Sequence, residues 1–198
     1  MIINKQILIS YKSEIVKYKR GACIFSEGTI PKYYFQILEG TVKICSLNQD
    51  GRAFVHGFPF DGHCFGEIYM FSDKDYAVSA FAESTCTIIK IPKRKLFDIF
   101  LHHPDELLKV VKYSADRMHF RYIISSFLAI VDPVIKLEIL FSYLKSYFQG
   151  ENGSLYIIPY TRKQIADLTG LRLETVVRVI KRMESLGKLQ IIDKQIYY

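Results

Sequence analysis

The 198-residue sequence has no apolar run approaching the roughly 18 residues that a membrane-spanning helix needs. Its N-terminus carries Lys5 but no apolar stretch followed by a small-residue cleavage site, so it lacks the pattern of a signal peptide. Hydrophobic residues make up 49% of the chain, which is enough to bury one good core or two small ones. We therefore expect a cytoplasmic globular protein without a membrane partner.

Cysteine is also scarce, and its spacing does not suit a metal. The four cysteines are Cys23, Cys45, Cys64 and Cys86, and no pair has the CxxC spacing of a zinc or iron–sulfur site. In a cytosolic chain such cysteines stay reduced, and we expect half-buried strand residues. The pattern predicts no bound metal and no cofactor.

Two sensing alternatives stay open on histidine and cysteine. Haem or metal could be held by a set drawn from these ligands: His56, His63, Cys64, His102, His103 and His119. A redox sensor could use Cys64, because an imidazolium at the adjacent His63 would stabilise its thiolate.

The sequence carries little that resembles an active site. A cupin-like metalloenzyme needs a close pair of His ligands, yet there is no His-x-His, and His56 and His63 are seven residues apart. No nucleophilic triad and no phosphate-cradling glycine loop can be recognised. We predict no catalytic residues and a protein that is not an enzyme, with the cupin-like enzyme as the alternative.

The first hundred residues have the regularly spaced turn residues that are typical of an all-β domain. Gly28, Gly40, Gly51 and Gly62 are 12, 11 and 11 residues apart, a pitch typical of a sandwich or barrel of short strands. Apolar stretches between these glycines predict strands at residues 33–38, 42–47, 53–58 and 87–91. A hairpin turn is predicted at residues 48–51, which end in Asp-Gly.

Helical periodicity begins near residue 95, with a short helix at 95–101 and a long one at 104–131. Every third or fourth residue of the long helix is apolar or small, which forms a packing seam toward the β-domain, toward a partner, or both. Asp132-Pro133 breaks this helix, and a further helix follows at 134–148. We expect domains at residues 1–103, 104–131 and 132–198.

The last forty residues have the pattern of a helix-turn-helix. Thr161 and Gln164 form a capping-box signature, Ile165 and Leu168 give the first helix an apolar face, and Gly170 can end it in the left-handed conformation. A second helix follows with apolar residues at core spacing: Val176, Val179, Ile180 and Met183.

Two strands around an Asp193-Lys194 turn predict a wing. Residues 161–188 hold seven Lys/Arg against three Asp/Glu, a local charge that suits DNA phosphates.

Three motifs in this order resemble the Crp/Fnr family of bacterial transcription regulators. They are residues 34–40 (YFQILEG), residues 65–67 (FGE) and the helix-turn-helix at 161–178. The resemblance extends from about residue 21 to residue 198. It implies an α+β protein with an N-terminal antiparallel, jelly-roll-like β-roll, a long dimerisation helix and a C-terminal winged helix-turn-helix.

The resemblance also implies a function, that of a homodimeric regulator reading two-fold symmetric double-stranded DNA, with half-sites roughly 34 Å apart. The implied dimer seam on the long helix consists of Val111, Ala115, Met118, Tyr122 and Ser125. Contact with RNA polymerase is implied as well, without an assigned surface.

Base reading is implied for the recognition helix. Glu174 can accept from a cytosine amino group and Arg178 can donate to guanine, while Leu173 can contact a thymine methyl. Thr175 completes the base-reading set. Phosphate contacts, which position the protein without reading sequence, are expected from Thr161, Arg162, Lys163, Arg172, Lys181 and Arg182.

The effector pocket departs from the family pattern. In members that bind cyclic nucleotides, a Gly-Glu pair is followed about ten residues later by Arg and then Ser or Thr. Gly66 and Glu67 match the pair, but the later positions read Ala77 and Val78. Without a guanidinium the cyclic phosphate loses its clamp, so we expect an unknown effector other than cyclic AMP. The remaining alternative is an effector-binding or sensing module without DNA binding.

Overall fold

The computed structural model describes residues 1–47, 53–149 and 155–198. The turn predicted at residues 48–51 lies outside this part of the chain. The chain forms two compact units, Met1–Met118 and His119–Tyr198. No helix in the described ranges is long and apolar enough to cross a membrane.

In the described residues of the first unit, eight antiparallel strands are present, and they confirm the predicted β-roll. The strands are β1 Glu14–Tyr18, β2 Cys23–Phe25, β3 Tyr33–Glu39, β4 Val42–Leu47, β5 Ala53–Gly57, β6 Cys64–Phe65, β7 Ser79–Ala82 and β8 Cys86–Pro92. One sheet has the order β1-β8-β3-β6 and the other β2-β7-β4-β5. The helices are α1 Lys5–Ser10, a 3-10 helix at Glu67–Phe71, α2 Lys93–His102 and α3 Pro104–Ser126.

A stack of aromatic rings fills the space between the two sheets. Phe25 lies nearly parallel to Tyr76 with 3.8 Å between ring centroids, and Phe35 stacks on Phe65 at 5.3 Å. Aliphatic side chains from both sheets complete this core, among them Ile37, Val42, Ile44, Ala80 and Ile88. Stacked rings contribute both buried apolar area and ring–ring attraction, so this core is dense rather than hollow.

A second core lies on the other face of the β3–β8 pair and is closed by helices. Its members include Leu8, Ile89, Leu96, Ile99 and Val110. The N-terminal segment is held here by the buried amide of Gln36, which accepts from the Ile3 backbone N–H and donates to the Ile3 carbonyl, both at 2.9 Å. The Tyr34 hydroxyl donates to the same amide oxygen at 2.7 Å, so this buried polar group is satisfied.

Helix α3 has an inward and an outward face. Val110 and Tyr113 are buried, and the Tyr113 hydroxyl donates to the Cys64 carbonyl at 3.0 Å. The predicted end of this helix at residue 131 was wrong, because α3 ends at Ser126. Beyond it, the backbone N–H groups of residues 127–130 donate to carbonyls three residues earlier instead of four. This tighter pattern ends the α-helix.

The cysteines correct a second expectation. All four are free and lie on strands, but Cys45, Cys64 and Cys86 are fully buried and Cys23 is exposed. Half-burial was therefore wrong: Cys86 packs in the core between the sheets, Cys64 packs in the core closed by the helices, and Cys45 is buried on β4. Within the described ranges no group of three or more His, Cys, Asp or Glu residues is placed to hold a metal.

The second unit contains the end of α3 from His119 onward. Its further described elements are three helices and a small sheet: α4 Pro133–Gln149, α5 Arg162–Thr169, α6 Leu173–Ser185, β9 Gln190–Ile192 and β10 Gln195–Tyr197. The Asp132 carboxylate accepts from the Val134 N–H at 2.8 Å and so caps the start of α4. Residues 156–158 run beside β10, with backbone bonds from Tyr156 to Tyr198 and from Ile158 to Ile196, each of 2.9 Å.

Gly40, which ends the 34–40 motif, provides a test of the β-roll packing. Its φ is +101°, and a Cβ built there would lie 2.5 Å from the Thr85 carbonyl oxygen and 2.9 Å from Cys86 Sγ. We expect Gly40→Ala to lower the free energy of unfolding by about 3 kcal/mol or more, since backbone strain and steric overlap add. Gly21→Ala is the matched control, because Gly21 has a φ of +85° and no atom near its Cβ position. Urea unfolding that shows equal losses for both variants would contradict the packing described here.

Candidate nucleic-acid interface

The first helix of the interface begins at the predicted capping box. The Thr161 hydroxyl accepts from the Gln164 N–H at 3.2 Å, and the Thr161 N–H donates to Gln164 Oε1 at 2.8 Å. The sequence folds this way because the two side chains satisfy backbone N–H groups that a helix start leaves unpaired. This reciprocal pair sets the first residue of α5.

The corner between α5 and α6 is made at Gly170, whose φ of +68° lies in the left-handed region. The buried residues of the two helices are Ile165, Ala166, Leu168, Thr169, Val176, Val179, Ile180 and Met183. The sequence predicted the apolar face or core for all of these except Ala166 and Thr169. Their burial fixes the opposite face of α6 toward solvent.

The outward face of α6 forms a shallow, open depression. Its lining consists of Leu173, Glu174, Val177, Arg178 and Lys181. Three of the four predicted base-reading residues therefore lie together, while Thr175 is half-buried and lies outside this lining. Val177 was not among the candidates, although its position three residues after Glu174 places it on the same face.

Free positive charge surrounds this depression. Arg172, Arg178, Lys181 and Arg182 are exposed, and none of them belongs to an ion pair among the described residues. Unpaired guanidinium and ammonium groups on one helix face can neutralise phosphates and release their counterions. The face has the charge that a nucleic acid requires.

Two of the predicted phosphate-contact residues are already engaged within the protein. Arg162 Nη1 donates to the Lys194 carbonyl at 3.0 Å, and Lys163 forms an ion pair with Asp167 one helical turn away. Exposed ion pairs are weak, so the ammonium of Lys163 can still turn outward. The guanidinium of Arg162 instead connects the start of α5 to the wing.

The wing is a tight hairpin held at two points. Asp193 and Lys194 both have positive φ values, 49° and 67°, as a two-residue hairpin turn requires. Glu184 near the end of α6 accepts from the Ile191 N–H at 3.1 Å. Together with the Arg162 bond, this contact fixes the wing against both helices. The sequence predicted the turn but not these two braces.

The four predicted effector residues differ in exposure and in what surrounds them. Glu67 is buried and accepts from the Ser114 hydroxyl of α3 at 3.5 Å, Val78 is buried in the inter-sheet core, and Ala77 is exposed. Gly66 adopts a φ of +70° directly beneath the Phe25 and Tyr76 rings, which lie 3.2 and 3.3 Å from where its Cβ would be. The inter-sheet core beside the turn is therefore filled by protein side chains.

The electrostatics of His63 and Cys64 contradict the redox-sensor hypothesis. Burial, reinforced by the charge of Arg117, lowers the pKa of His63 to about 4, so its ring is neutral at pH 7. Burial raises the pKa of the Cys64 thiol well above its usual range. Desolvation therefore disfavours both charged forms of the predicted thiolate–imidazolium pair.

Comparison with known proteins agrees with this architecture. Residues 15–103 match the cyclic nucleotide-binding domain family, and residues 139–197 match the Crp-like helix-turn-helix domain family. Among curated relatives, the nitrogen fixation regulation protein FixK of Rhizobium meliloti is 25% identical over 180 residues, which cover 90% of this chain and 79% of that protein. The cAMP-activated global transcriptional regulator CRP of Salmonella typhimurium is 21% identical over 184 residues, 92% of this chain and 88% of CRP.

Solved structures show the same fold. A CooA mutant from Carboxydothermus hydrogenoformans superimposes with a TM-score of 0.79 at 17% identity, covering 98% of this chain and 85% of CooA. FixK2 from Bradyrhizobium japonicum gives a TM-score of 0.75 at 19% identity, covering 93% of this chain and 91% of FixK2. With a cyclic nucleotide-binding domain followed by a Crp-like helix-turn-helix, the chain belongs to the Crp/Fnr family of transcription regulators, not to a family of enzymes.

Proposed function

We propose that this DNA-binding transcription regulator reads a two-fold symmetric site as a homodimer, with α6 of each subunit in the major groove. The observation that carries the proposal is the division of α6 into a buried apolar face and a solvent face lined by Leu173, Glu174, Val177, Arg178 and Lys181. One such helix reads only a few base pairs. A dimer that repeats it about one helical turn away reads a longer site.

Base reading is proposed for Glu174 and Arg178. They are four residues apart on α6, so both side chains leave the same face of the helix. The guanidinium of Arg178 can donate two parallel hydrogen bonds to guanine, and the Glu174 carboxylate can accept from a cytosine amino group. Leu173 offers an apolar contact to a thymine methyl, and the half-buried Thr175 is the fourth proposed reader.

Phosphate binding is proposed for a ring of groups around the base-reading pair. Arg172, Lys181 and Arg182 have exposed cations without an ion-pair partner in the described structure. Thr161 and Lys163 lie in the first turns of the preceding helix, where N–H groups and the helix dipole attract anions. Arg162 contributes mainly by holding the wing turn, since its guanidinium donates to the Lys194 carbonyl.

Dimerisation is proposed along the outward face of α3. Val111 and Met118 are each 52% exposed and Tyr122 is 66% exposed, although all three are large and hydrophobic. Ala115 and Ser125 lie in the same seam and are small enough to allow close approach of a second helix. A symmetric partner would cover this row with the same residues, as an isologous interface requires. RNA polymerase is a further proposed partner, for which we assign no surface.

The proposed effector is a molecule other than cyclic AMP. Ala77 and Val78 offer no side-chain donor or positive charge for a cyclic phosphate, and Val78 points into the core. The stacked rings of Phe25 and Tyr76 lie so close to the Gly66 turn that a Cβ at that position would be 3.2 and 3.3 Å from them. Both observations support a regulator whose nucleotide site is closed.

Arg178→Ala tests base reading. On a DNA site obtained by in vitro selection, the loss should cost about 1–3 kcal/mol and relax the preference at one position of each half-site. Arg182→Ala is the matched control: it should weaken all sequences nearly equally and reduce the salt slope by about 1. Binding of a library of single-base variants by fluorescence anisotropy separates the two. If Arg178→Ala keeps every base preference, the docking assignment fails.

Val111→Asp tests the dimer seam. A carboxylate in a symmetric apolar interface meets its own copy, so desolvation and repulsion should convert the dimer to a monomer at micromolar concentration. Lys112→Asp places the same charge on the neighbouring exposed position, outside the seam, and should leave the dimer intact. Sedimentation equilibrium measures both. A monomeric parent protein, or two variants that stay dimeric, would refute the proposed interface.

A further inference from the structure

A small pocket opens on the β-roll beside the connection between β2 and β3. We call it the aromatic pocket. Phe25, Phe35 and Tyr76 form its floor, while Ile30, Lys32 and Tyr33 contribute to its walls and rim, and its volume is about 450 Å³. That size is within the range of small-molecule sites. None of the four predicted effector residues lines it.

Backbone hydrogen bonds hold the pocket open. The Gly28 N–H donates to the Tyr76 carbonyl at 2.7 Å, and the Tyr76 N–H donates to the Thr29 carbonyl at 3.0 Å. The Thr29 hydroxyl donates to the Ser26 carbonyl at 2.6 Å and tightens the same turn. These three bonds fix the rim relative to the ring floor, so binding requires little ordering of the loop.

The floor and one wall favour a flat, apolar ligand. Phe25 and Phe35 have ring centroids 5.8 Å apart, and Tyr33 lies 6.3 Å from Phe35. These rings are buried against one another, so their edges rather than their faces border the pocket, and a further planar group can contact those edges in the edge-to-face arrangement that aromatic rings favour. Ile30, which is 67% exposed, adds an aliphatic lid at the rim.

The charge at the rim is positive only. Lys32 is the one Lys, Arg, Asp or Glu residue in the lining, it is exposed, and it belongs to no ion pair in the described part of the chain. Lys90, which lies 4.8 Å from the centroid of the neighbouring Tyr33 ring, is paired with Glu14 at 3.0 Å and does not line the pocket, so Lys32 is the cation available to a ligand. An apolar floor with a single cation at its edge suits a molecule with a flat hydrocarbon body and one anionic end.

We propose that the aromatic pocket binds a small planar carboxylate, with its ring system on the Phe25–Phe35–Tyr76 floor and its carboxylate paired with Lys32. The floor also touches the effector turn, because the Phe25 and Tyr76 rings cover Gly66. Glu67, the next residue, accepts from Ser114 of α3. A ligand in the aromatic pocket therefore lies two side-chain contacts away from the long helix, within one compact unit.

This inference rests on the proposed function only in giving the regulator an effector. The binding is measured on the full-length protein without DNA, so the two proposals can fail separately.

Isothermal titration calorimetry with 2-naphthoate, and with the uncharged 2-naphthylmethanol for comparison, tests the site. We expect 2-naphthoate to bind the parent protein with a one-to-one stoichiometry, about fivefold more tightly than the alcohol, the upper range of an exposed ion pair. Lys32→Gln should remove that preference. Lys19→Gln, which removes an exposed lysine outside the pocket lining, should keep it.

A second measurement locates the ligand. In amide NMR spectra, 2-naphthoate should shift the signals of residues 24–35 and Tyr76, and Ile30→Ala should weaken binding without changing the fold. Three results would overturn the proposal: no binding of 2-naphthoate at millimolar concentration, equal affinities for the parent protein and Lys32→Gln, or shifts confined to residues outside the pocket.

Discussion

The β-roll depends on the contact between Phe25 and Tyr76, whose rings lie 3.8 Å apart in the space between its two sheets. A Cβ at Gly66 would lie 3.2 and 3.3 Å from these two rings, and the φ of +70° at this turn also favours glycine. The same stack joins the Phe35–Phe65 pair into one core that both sheets share. It also turns one set of ring edges toward the aromatic pocket. The contact between Phe25 and Tyr76 thus fills the space between the sheets and also shapes the floor of the aromatic pocket.

Helices α3 and α6 use one design for two purposes. Each buries one face in its own unit and leaves the other in water: α3 buries Val110 and Tyr113, and α6 buries Val176 and Val179. Burial of an apolar face fixes the rotation of a helix, because any other rotation exposes that face. The solvent face of α6 is then free to carry charge, and the solvent face of α3 is free to carry apolar groups. The first suits a phosphate backbone, and the second suits another copy of the same helix.

Local chemistry made much of this fold predictable from sequence. The capping box at Thr161 and Gln164, the left-handed glycine at 170 and the spacing of buried residues on α6 are decided within a few residues, so their pattern is visible in the chain. The regular spacing of glycines at the turns of the β-roll can be read from the sequence for the same reason. Contacts between distant residues were not predictable. The hydrogen bond from Arg162 to the Lys194 carbonyl joins residues that are 32 positions apart in the chain. It engages a guanidinium that the sequence alone predicts to contact DNA phosphate. The pairing of Phe25 with Tyr76 likewise depends on strand order.

Fluorescence anisotropy of the purified protein on a labelled DNA site from in vitro selection, with and without saturating cyclic AMP, tests the central claim most directly. The claim that we propose is that a Crp/Fnr regulator binds DNA through α6, while the ring stack fills its nucleotide site and Ala77 and Val78 leave that site without a phosphate clamp. We predict tight, sequence-specific binding with the same affinity in both conditions. Tight binding that occurs only with cyclic AMP would show that another group replaces the missing guanidinium, and the account of a closed nucleotide site would be contradicted.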